Sequence, residues 1–452
     1  MDGTWALERL SRFGDALAFR SEATEATFRD LVRMTEEARV RLRERQIAPG
    51  STVVVHADFT ADAIALLLAL YLNGNIVVPL YDPRGERLSQ VCELVAADHV
   101  LSTKDEASCP TAKAECAREI HPLVAKLRAG GDPGLILISS GSSGKPKAML
   151  LNQRALFDKY EPLEARPATI LTFLLFDHIG GFNTLFHTLF TGGTLIPAYS
   201  RAVDDVCATI QRWKVQVLPA TPTFLNMLLV SRAYERFDLS SLSLITYGTE
   251  VMPESTLKKL SSVFPDIRLK QTYGMSEIGI LSTRSEDSKS LWISIGKGVQ
   301  HKVVDGILWL KSQTAMLGYL NAESPFDTDG WLCTGDLVEQ KGDKYLILGR
   351  KESIINVGGL KVYPAEVESH LLQVEGVKDA LAWGKKNPVT GQVVAVKVLV
   401  DAGVQNAEFT DRLKRHCRAH LEEYKVPRHF DFTTEPIHGS RFKKLNAGAQ
   451  GG

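Results

Sequence analysis

The sequence predicts an α/β protein with a large N-terminal domain of helix-covered, mostly parallel sheets, a β-rich subdomain, and a small mobile α+β C-terminal domain. Two observations predict this fold class. Between Thr52 and Gly248, short apolar runs rich in β-branched residues alternate with helix-length stretches, as in parallel sheets covered by helices. From about Gly296, short β-rich runs are separated by Asp-Gly and Gly-Asp steps, which are typical of hairpins.

The individual elements follow from the same patterns. Predicted strands span residues 52–56, 75–81, 135–138, 169–176, 215–222 and 242–248, and a helix covers 62–72. Another helix begins near Pro364, which suits a first helical turn, while Glu366 and Glu368 suit the positive end of that helix. We place the two domains at residues 1–350 and 351–452.

Length and composition limit the function. A chain of 452 residues exceeds one hydrophobic core, so more than one domain is expected. Lys plus Arg and Asp plus Glu each number 53, so the charge excess of a nucleic-acid binder is missing. The six cysteines form no C-x-x-C pair, and the longest apolar run, 63–72, is too short to span a membrane. The N-terminus has no signal-peptide pattern, so we expect a cytoplasmic protein without a membrane span.

The loop "SSGSSGKPK" at residues 139–147 directly follows a predicted buried strand. Its main-chain N–H groups and hydroxyls suit phosphate oxygens, and Lys145 and Lys147 add positive charge. It is not a Walker loop, because only two residues separate Gly141 from Gly144 and Pro146 follows the lysine. Taken alone, the loop is either a phosphate site or a flexible surface turn.

Four further motifs follow in order: "YGMSE" at 273–277, "GWLCTGD" at 330–336, "GRKESIINVGG" at 349–359 and "KVYPAEVE" at 361–368. Together with the loop they resemble the signatures of the adenylate-forming superfamily, which comprises acyl-CoA synthetases, aryl-acid ligases, luciferases and nonribosomal adenylation domains. The resemblance implies that a carboxylate attacks the α-phosphate of ATP, giving an acyl-adenylate and pyrophosphate. A thiol then takes the acyl group.

The resemblance also implies which residues bind ATP and Mg²⁺. Those that would hold the phosphates are Ser139, Ser140, Gly141, Ser142, Ser143, Gly144 and Lys147. In "YGMSE", Tyr273 and Gly274 would line the adenine, Ser276 would lie near the phosphates, and Glu277 would act in catalysis by holding Mg²⁺.

Other positions carry roles by the same resemblance. Asp336 and Arg350 match the ribose-binding pair, and His178 in "FDHIGG" matches a residue beside the acyl site. Asp177 either pairs with a substrate ammonium or has a structural role. Glu352 matches the hinge, and the glycines of 357–359 would let a pantetheine arm approach closely.

The C-terminal match is less complete. The family has a lysine in a "P-x-T-x-x-G-K" setting that bridges the carboxylate and the α-phosphate. This chain reads "EPIHGSRFKKLNAG" and has no G-K pair. The register favours Lys443 over Lys444 as the catalytic lysine.

The resemblance implies ATP and Mg²⁺ as cofactors, a small carboxylic acid as substrate, and CoA or the phosphopantetheine of an acyl carrier protein as acceptor. The sequence favours an aromatic or fatty acid over an amino acid. We expect no nucleic-acid partner and a monomer or homodimer. The alternative is a nucleotide-binding homologue without full adenylation activity, which would act as a regulatory or binding protein.

Overall fold

A computed structural model describes residues 4–81, 86–103, 120–140, 146–439 and 444. Its α-helices, in chain order, are α1 Trp5–Ser11, α2 Phe28–Glu44, α3 Ala61–Leu72, α4 Arg87–Leu94, α5 Pro122–Gly130, α6 Gln153–Asp158, α7 Ile179–Phe190, α8 Val203–Trp213, α9 Pro222–Ser231, α10 Glu254–Val263, α11 Pro364–Leu371 and α12 Ala407–His420. Short 3₁₀ helices span Ala233–Glu235, Lys351–Ser353 and Glu423–Lys425.

The strands fall into four main sheets and one small hairpin. In chain order they are β1 Leu17–Arg20, β2 Glu25–Thr27, β3 Thr52–His56, β4 Ile76–Leu80, β5 His99–Ser102, β6 Gly134–Ser140, β7 Pro146–Asn152, β8 Thr169–Thr172, β9 Thr194–Pro197, β10 Val217–Ala220, β11 Leu244–Tyr247, β12 Arg268–Gln271, β13 Gly274–Met275, β14 Gly279–Ile280, β15 Thr283–Ser285, β16 Trp292–Ile295, β17 Val299–Val304, β18 Ile307–Ser312, β19 Gly318–Tyr319, β20 Leu332–Lys341, β21 Lys344–Arg350, β22 Ile355–Val357, β23 Leu360–Val362, β24 Asp379–Asn387, β25 Gly391–Leu399 and β26 His429–Thr433.

Two mostly parallel sheets form the N-terminal part, as the sequence predicts. The first has the order β12-β11-β10-β8-β9-β1-β2 and is parallel except for the β1–β2 pair. The second has the order β19-β7-β6-β4-β3-β5, in which β6, β4, β3 and β5 are parallel and β7 and β19 are antiparallel. Helix-covered parallel sheets of this kind confirm the predicted fold class.

Alternating side chains of one strand reach two different cores. Val53 and Val55 of β3 pack in a core that also contains residues of α2, α3, α7 and the first sheet. Val54, between them, packs on the opposite face with residues of α4 and α5. Side chains alternate between the two faces of a strand. A strand such as β3 is therefore apolar at every position because helices cover both faces of its sheet. Helix α3 packs in the first of these cores and is buried on nearly all sides.

The β-rich subdomain is an antiparallel sheet in the order β15-β16-β21-β20-β18-β17. Its β17–β18 hairpin turns at Asp305 and Gly306, both with positive φ, at 53° and 75°. Two consecutive positive φ angles favour Asp-Gly, so the predicted hairpin forms where that step occurs.

The last sheet contains β22 to β26, with β25 in contact with β22, β24 and β26. Pro364 is the first residue of α11, as predicted. Glu368 differs from its prediction, because its side chain is buried and accepts from the main-chain N–H of Ala382 at 2.9 Å. It therefore binds within the fold instead of lying at the helix start, and only Glu366 remains in the first turn.

The predicted strand 169–176 is too long, since β8 ends at Thr172. Phe173 and Phe176 are nevertheless buried, and the Phe176 ring packs edge-on against Phe59 at 4.9 Å between centroids. An apolar run indicates that a segment is buried, but burial alone does not distinguish a strand from a packed loop. In the ranges that the structure covers, no helix combines the length and the apolar composition needed to cross a bilayer.

Candidate active site

The loop predicted to bind phosphate connects β6 to β7 at the edge of the second sheet. The two strands pair antiparallel, with Ser139 opposite Lys147 and Ser140 opposite Pro146. Gly141, Ser142, Ser143 and Gly144 lie outside the described residues. β6 also pairs parallel with β4, so the loop leaves a carboxyl end of the parallel strands, where such sheets bind ligands.

A chain of contacts joins the base of this loop to "YGMSE". The Lys147 ammonium lies 5.1 Å from the centre of the Tyr319 ring. The Tyr319 hydroxyl donates to Glu277 Oε1 at 2.7 Å. The structure therefore brings together Lys147 and Glu277, two residues selected from separate motifs, through a tyrosine that the sequence analysis missed.

Tyr319 is positioned by the backbone around it. β19 pairs antiparallel with β7, which places Tyr319 opposite Met149. Asn321 fixes the same edge, because its Oδ1 accepts from the Ala148 N–H at 2.9 Å and its Nδ2 donates to the Pro146 carbonyl at 2.8 Å. Nothing local in the sequence indicates this pairing, which depends on a strand contact between distant segments.

A second group of contacts surrounds Asp336. The Tyr273 hydroxyl donates to Asp336 Oδ2 at 2.5 Å, and Arg350 Nε lies 2.9 Å from Asp336 Oδ1. Arg350 Nη1 also donates to the carbonyl of Thr334 at 2.6 Å. β20 and β21 align the pair, since Asp336 is opposite Arg350 in their register. Three predicted nucleotide residues thus form one network, and each carboxylate oxygen keeps a further lone pair for a ribose hydroxyl.

Burial dominates the electrostatics of this network. It raises the pKa of Asp336, while Arg350 and the Tyr273 hydroxyl oppose the rise and the carboxylates of Glu352 and Glu277 add to it. Burial and the Asp336 charge also raise the pKa of Tyr273, so its hydroxyl stays a proton donor. Two further carboxylates, those of Glu352 and Glu277, therefore act on the buried Asp336.

A two-stranded hairpin holds the end of "YGMSE". β13 and β14 pair antiparallel, so Ser276 and Glu277 lie in the connection between them. A β-carbon on Gly274 would lie 2.5 Å from the carbonyl oxygen of Gly279, so no side chain fits there. Gly274 therefore contributes close packing that fixes the direction of the segment.

Comparison with protein families matches residues 7–320 to "AMP-binding enzyme" and residues 366–440 to "AMP-binding enzyme C-terminal domain". The chain belongs to the AMP-binding enzyme family. The predicted membership of the adenylate-forming superfamily is confirmed, and with it the prediction of an enzyme of the acid–thiol ligase type.

Relatives of this AMP-binding enzyme extend over almost its full length. A 3-[(3aS,4S,7aS)-7a-methyl-1,5-dioxo-octahydro-1H-inden-4-yl]propanoyl:CoA ligase of Rhodococcus jostii is 26% identical over 94% of each chain. A 2-succinylbenzoate–CoA ligase of Bacillus pumilus is 28% identical over 95% of this chain and 94% of its own. Among solved structures, the anthranilate CoA ligase AuaEII with anthranoyl-AMP superposes with a TM-score of 0.82 at 19% identity, over 97% of this chain and 95% of that one.

In this AMP-binding enzyme His178 lies apart from the nucleotide network, at the start of another element. It is the N-cap residue of α7, and its neighbour Asp177 is buried with 4% of its surface exposed. A β-carbon on Gly181 would lie 1.9 Å from the Leu175 carbonyl oxygen, so this glycine lets the helix start pack against the preceding loop. The segment around His178 is thus held rigidly beside the buried Phe176.

Of the two C-terminal lysines of this AMP-binding enzyme, the structure describes Lys444. Lys443 lies outside the described residues. The Lys444 ammonium lies 2.7 Å from Glu368 Oε2 and 3.7 Å from Asp379 Oδ1, and donates to the Ala380 carbonyl at 2.8 Å. Burial alone would lower the pKa of Lys444, but the carboxylates of Glu368 and Asp379 hold that pKa above its ordinary value. Lys444 is therefore a cation bound within the C-terminal sheet and helix.

Proposed function

We propose that this enzyme activates an aromatic or fused-ring carboxylic acid with ATP and transfers the acyl group to CoA. The single observation that carries the nucleotide half is the network in which two sequence-predicted residues, Tyr273 and Arg350, contact a third, the buried carboxylate of Asp336. Family membership supplies the reaction class. The alternative of a nucleotide-binding protein without activity draws no support from the relatives, which are named as ligases.

Each residue has a task that follows from its chemistry. Asp336 accepts hydrogen bonds from the ribose hydroxyls, while Arg350 and Tyr273 hold the carboxylate in place. Lys147, at the base of the loop, supplies positive charge to the departing phosphates, and we propose that the Gly- and Ser-rich segment 139–144 supplies further hydrogen-bond donors to them. Fixed donors of this kind stabilise charge that develops as the carboxylate approaches the α-phosphate.

The donor set also fits a magnesium ion. Tyr319 engages one oxygen of the Glu277 carboxylate, and Mg²⁺ commonly takes one or two carboxylates with phosphate oxygens and water. We propose Glu277 as the protein ligand. When bound, the ion would neutralise charge on the phosphates.

Lys443 is the proposed adenylation lysine. The Lys444 ammonium is engaged by Glu368, Asp379 and the Ala380 carbonyl, so its use at the α-phosphate would leave two buried carboxylates without their cation. The free-energy cost of leaving these carboxylates unpaired supports Lys443 as the adenylation lysine. Anchoring of Lys444 also limits the positions that the adjoining Lys443 can reach.

The acid and the acceptor are proposed from the relatives and from the site. Similar chains are named as ligases of indoleacetate and 2-succinylbenzoate, which are aromatic acids, and their acceptor is CoA. Phe176, two residues before His178, packs edge-on against Phe59, so the segment beside the proposed acyl site is aromatic and apolar and suits such an acid. We propose the cytoplasm as the location and a monomer or homodimer as the working form.

Product analysis tests the proposal. The purified protein is incubated with MgATP, CoA and a panel of aromatic, fatty and amino acids, and products are identified by mass spectrometry. We expect AMP, pyrophosphate and an acyl-CoA with at least one aromatic acid. ATP binding without AMP formation across the panel would contradict the proposal and support the binding-protein alternative.

Separate assays of the two half-reactions test the lysine. Lys443→Ala should abolish pyrophosphate exchange into ATP while leaving transfer from a supplied acyl-adenylate to CoA largely intact. The reason is that a single cation at the reacting phosphate serves only the first step. Normal exchange by this variant would show that Lys443 is not the adenylation lysine.

A further inference from the structure

Three histidines converge between two helices of the C-terminal part, away from the nucleotide network. His370 lies on α11, while His416 and His420 lie one turn apart on α12. One ring nitrogen from each lies within 4.8 Å of the others. The ring centroids are 4.4 Å apart for His416 and His420, 5.6 Å for His370 and His420, and 6.4 Å for His370 and His416.

The helices themselves are held firmly by the core beneath the histidines. Val367 and Leu371 of α11 and Leu413 and Cys417 of α12 are buried in the same apolar cluster. In α12, positions 413, 416, 417 and 420 share one face because helical neighbours recur every three or four residues. The shared core therefore holds together the two helix backbones that carry the histidines. Two histidines at i and i+4 form a known metal-binding pair on a helix.

One of the three rings has the hydrogen bond that orients a metal ligand. His420 Nδ1 is 2.8 Å from the carbonyl oxygen of His416, so the tautomer that donates this bond leaves Nε2 with its lone pair. Ligating histidines in proteins use their second nitrogen in this way, donating to a carbonyl that orients the ring.

Two of the nitrogens are buried without a partner among the residues that the structure describes. They are His370 Nδ1 and His416 Nε2. A buried polar atom without a hydrogen bond costs about 1–3 kcal/mol, so its persistence calls for a ligand or another compensating contact. A single ion between the helices would satisfy both nitrogens.

Charges of both signs surround the histidines, since α12 also carries Arg412, Lys414, Arg415 and Arg418. Glu366 and Glu254 lie close enough to His370 to act on it electrostatically. Lys425 is an opposing cation, but its ammonium is paired with Glu366 at 2.8 Å and Glu422 at 2.5 Å.

We propose that His370, His416 and His420 bind one divalent transition-metal ion of the zinc class, which links α11 to α12. Three imidazoles suit Zn²⁺, Co²⁺, Ni²⁺ or Cu²⁺, and water completes the coordination. Tetrahedral zinc with bonds of about 2.0–2.1 Å sets its ligand nitrogens roughly 3.3 Å apart, so the rings must close slightly on binding. His420, exposed at the end of α12, has the freedom to do so.

The site lies beside a contact between α11 and the N-terminal part. Ser369, next to His370, accepts from the Ser255 N–H at 3.1 Å, and the two hydroxyl oxygens are 3.0 Å apart. An ion that fixes α11 against α12 would therefore stiffen the surface that meets α10. This inference does not depend on the proposed reaction.

Metal binding to the untagged full-length protein tests the site. After treatment with EDTA and removal of the chelator, Zn²⁺ is titrated by calorimetry, and Co²⁺ is titrated with detection of its visible absorption. We expect one ion per chain and a saturable rise in Tm on addition of Zn²⁺. Loss of one ligand in His420→Ala or His370→Gln should weaken binding at least about tenfold, since loss of an outer-shell contact alone has that effect.

His429→Ala is the matched control, because His429 is exposed on β26, outside the cluster. This variant should bind Zn²⁺ with the wild-type stoichiometry and affinity. The Tm of each metal-free variant is measured as well, which separates a lost ligand from a misfolded chain. Stoichiometric binding that survives equally in His420→Ala and His370→Gln would overturn the proposal, as would no binding by the folded wild-type protein.

Discussion

Asp336 is a buried carboxylate that binds two protein groups before any ligand arrives. Its side chain is 11% exposed, and its oxygens accept from Tyr273 and face Arg350. Such an acid is expensive to bury unless it is hydrogen-bonded and paired, and here it is both. The same contacts fix the oxygens that would meet a ribose, so the ligand meets a site that needs little rearrangement.

Asp336→Ala should lower kcat/KM for ATP by roughly tenfold to a hundredfold, since hydrogen bonds to a charged group contribute about 1.5–3 kcal/mol. Steady-state kinetics at varied MgATP measures the effect, with Asp343→Ala as the control. Asp343 is exposed in the β20–β21 turn, so its loss should leave ATP use unchanged. Equal kinetics for the wild type and Asp336→Ala would remove Asp336 from the nucleotide site.

Sequence motifs select the residues of this network but not their contacts. Asp336 and Arg350 belong to neighbouring motifs, and a hairpin places them opposite each other, which the Gly-Asp steps anticipate. Tyr319 has no such signal, because it reaches Glu277 only through the pairing of β19 with β7. A contact set by register between distant strands leaves no trace in the local pattern.

At the scale of elements, a partly buried cation lies at the end of α6, beside α7. The Lys159 ammonium donates to Asn183 Oδ1 at 2.7 Å and lies 4.9 Å from the centre of the Tyr160 ring. Burial lowers the pKa of Lys159 to about 8. The unfolded chain therefore binds a proton more readily than the folded chain between about pH 8 and pH 10.5, and the charged folded state is penalised below that window.

Lys159→Met should raise the free energy of unfolding at pH 7 by about 1–3 kcal/mol, and its advantage over wild type should shrink as the pH rises from 8 to 10.5. Asn183 keeps a donor, since the Tyr160 hydroxyl lies 3.0 Å from its Oδ1. Urea denaturation at several pH values measures the difference. Lys259→Met, at an exposed position of α10, should differ little from wild type at any pH. A less stable Lys159→Met with a constant difference would contradict the argument.

The C-terminal segment is joined to the fold by Lys444. Besides its contacts with Glu368 and Asp379, its main-chain N–H donates to Glu250 Oε1 at 2.6 Å. Glu250 also accepts from the Thr223 hydroxyl at 2.7 Å, so one carboxylate ties the segment to the N-terminal part. Lys444 therefore holds the C-terminal segment through two groups, its main-chain N–H and its side-chain ammonium.

Lys444→Met should destabilise the protein by about 3–5 kcal/mol, because it leaves Glu368 and Asp379 buried without a cation. Lys443→Met is the matched control and should change the urea midpoint little. Adding Glu368→Gln to Lys444→Met should restore part of the loss, since it removes one uncompensated charge. Equal midpoints for the two lysine variants would mean that the ion pairs contribute nothing.

Elements follow from the sequence where periodicity and burial agree. The run 52–56 is predicted to the residue because alternate side chains face two apolar cores. The run 169–176 is overextended, since packing of Phe176 on Phe59 gives the same apolar signal as a strand. The sequence predicts that Glu368 interacts with the positive end of the helix. In the structure its carboxylate pairs instead with Lys444, which is distant along the chain.

For the whole molecule, the order of strands is the feature least accessible to sequence. β1 pairs with β9, and β19 returns to the edge of β7, so neighbours in space are far apart along the chain. Contacts between the two parts include polar ones, such as the bond from Asn226 Nδ2 to the Lys378 carbonyl at 2.8 Å. Polar contacts of this kind are compatible with relative motion, which the predicted hinge at Glu352 requires.

A substitution that stiffens the backbone at Glu352 would test whether the two parts move relative to each other. Glu352 lies in the exposed 3₁₀ turn Lys351–Ser353, directly after Arg350 of the nucleotide network. The glycines of 357–359 are exposed at the β22–β23 turn, so a rotation near Glu352 is one way to bring them to the site. Proline fixes φ near −65° and restricts the residue before it, and so should block such a rotation.

We therefore expect Glu352→Pro to retain pyrophosphate exchange into ATP but to lose at least about tenfold in transfer from a supplied acyl-adenylate to CoA, because the rotation that would bring the glycines of 357–359 to the site is blocked. Glu352→Gln keeps a flexible backbone and should retain both half-reactions. The comparison separates backbone freedom from the charge that Glu352 places near Asp336. Equal loss in both variants would assign the effect to the carboxylate, and normal transfer by Glu352→Pro would move the hinge elsewhere.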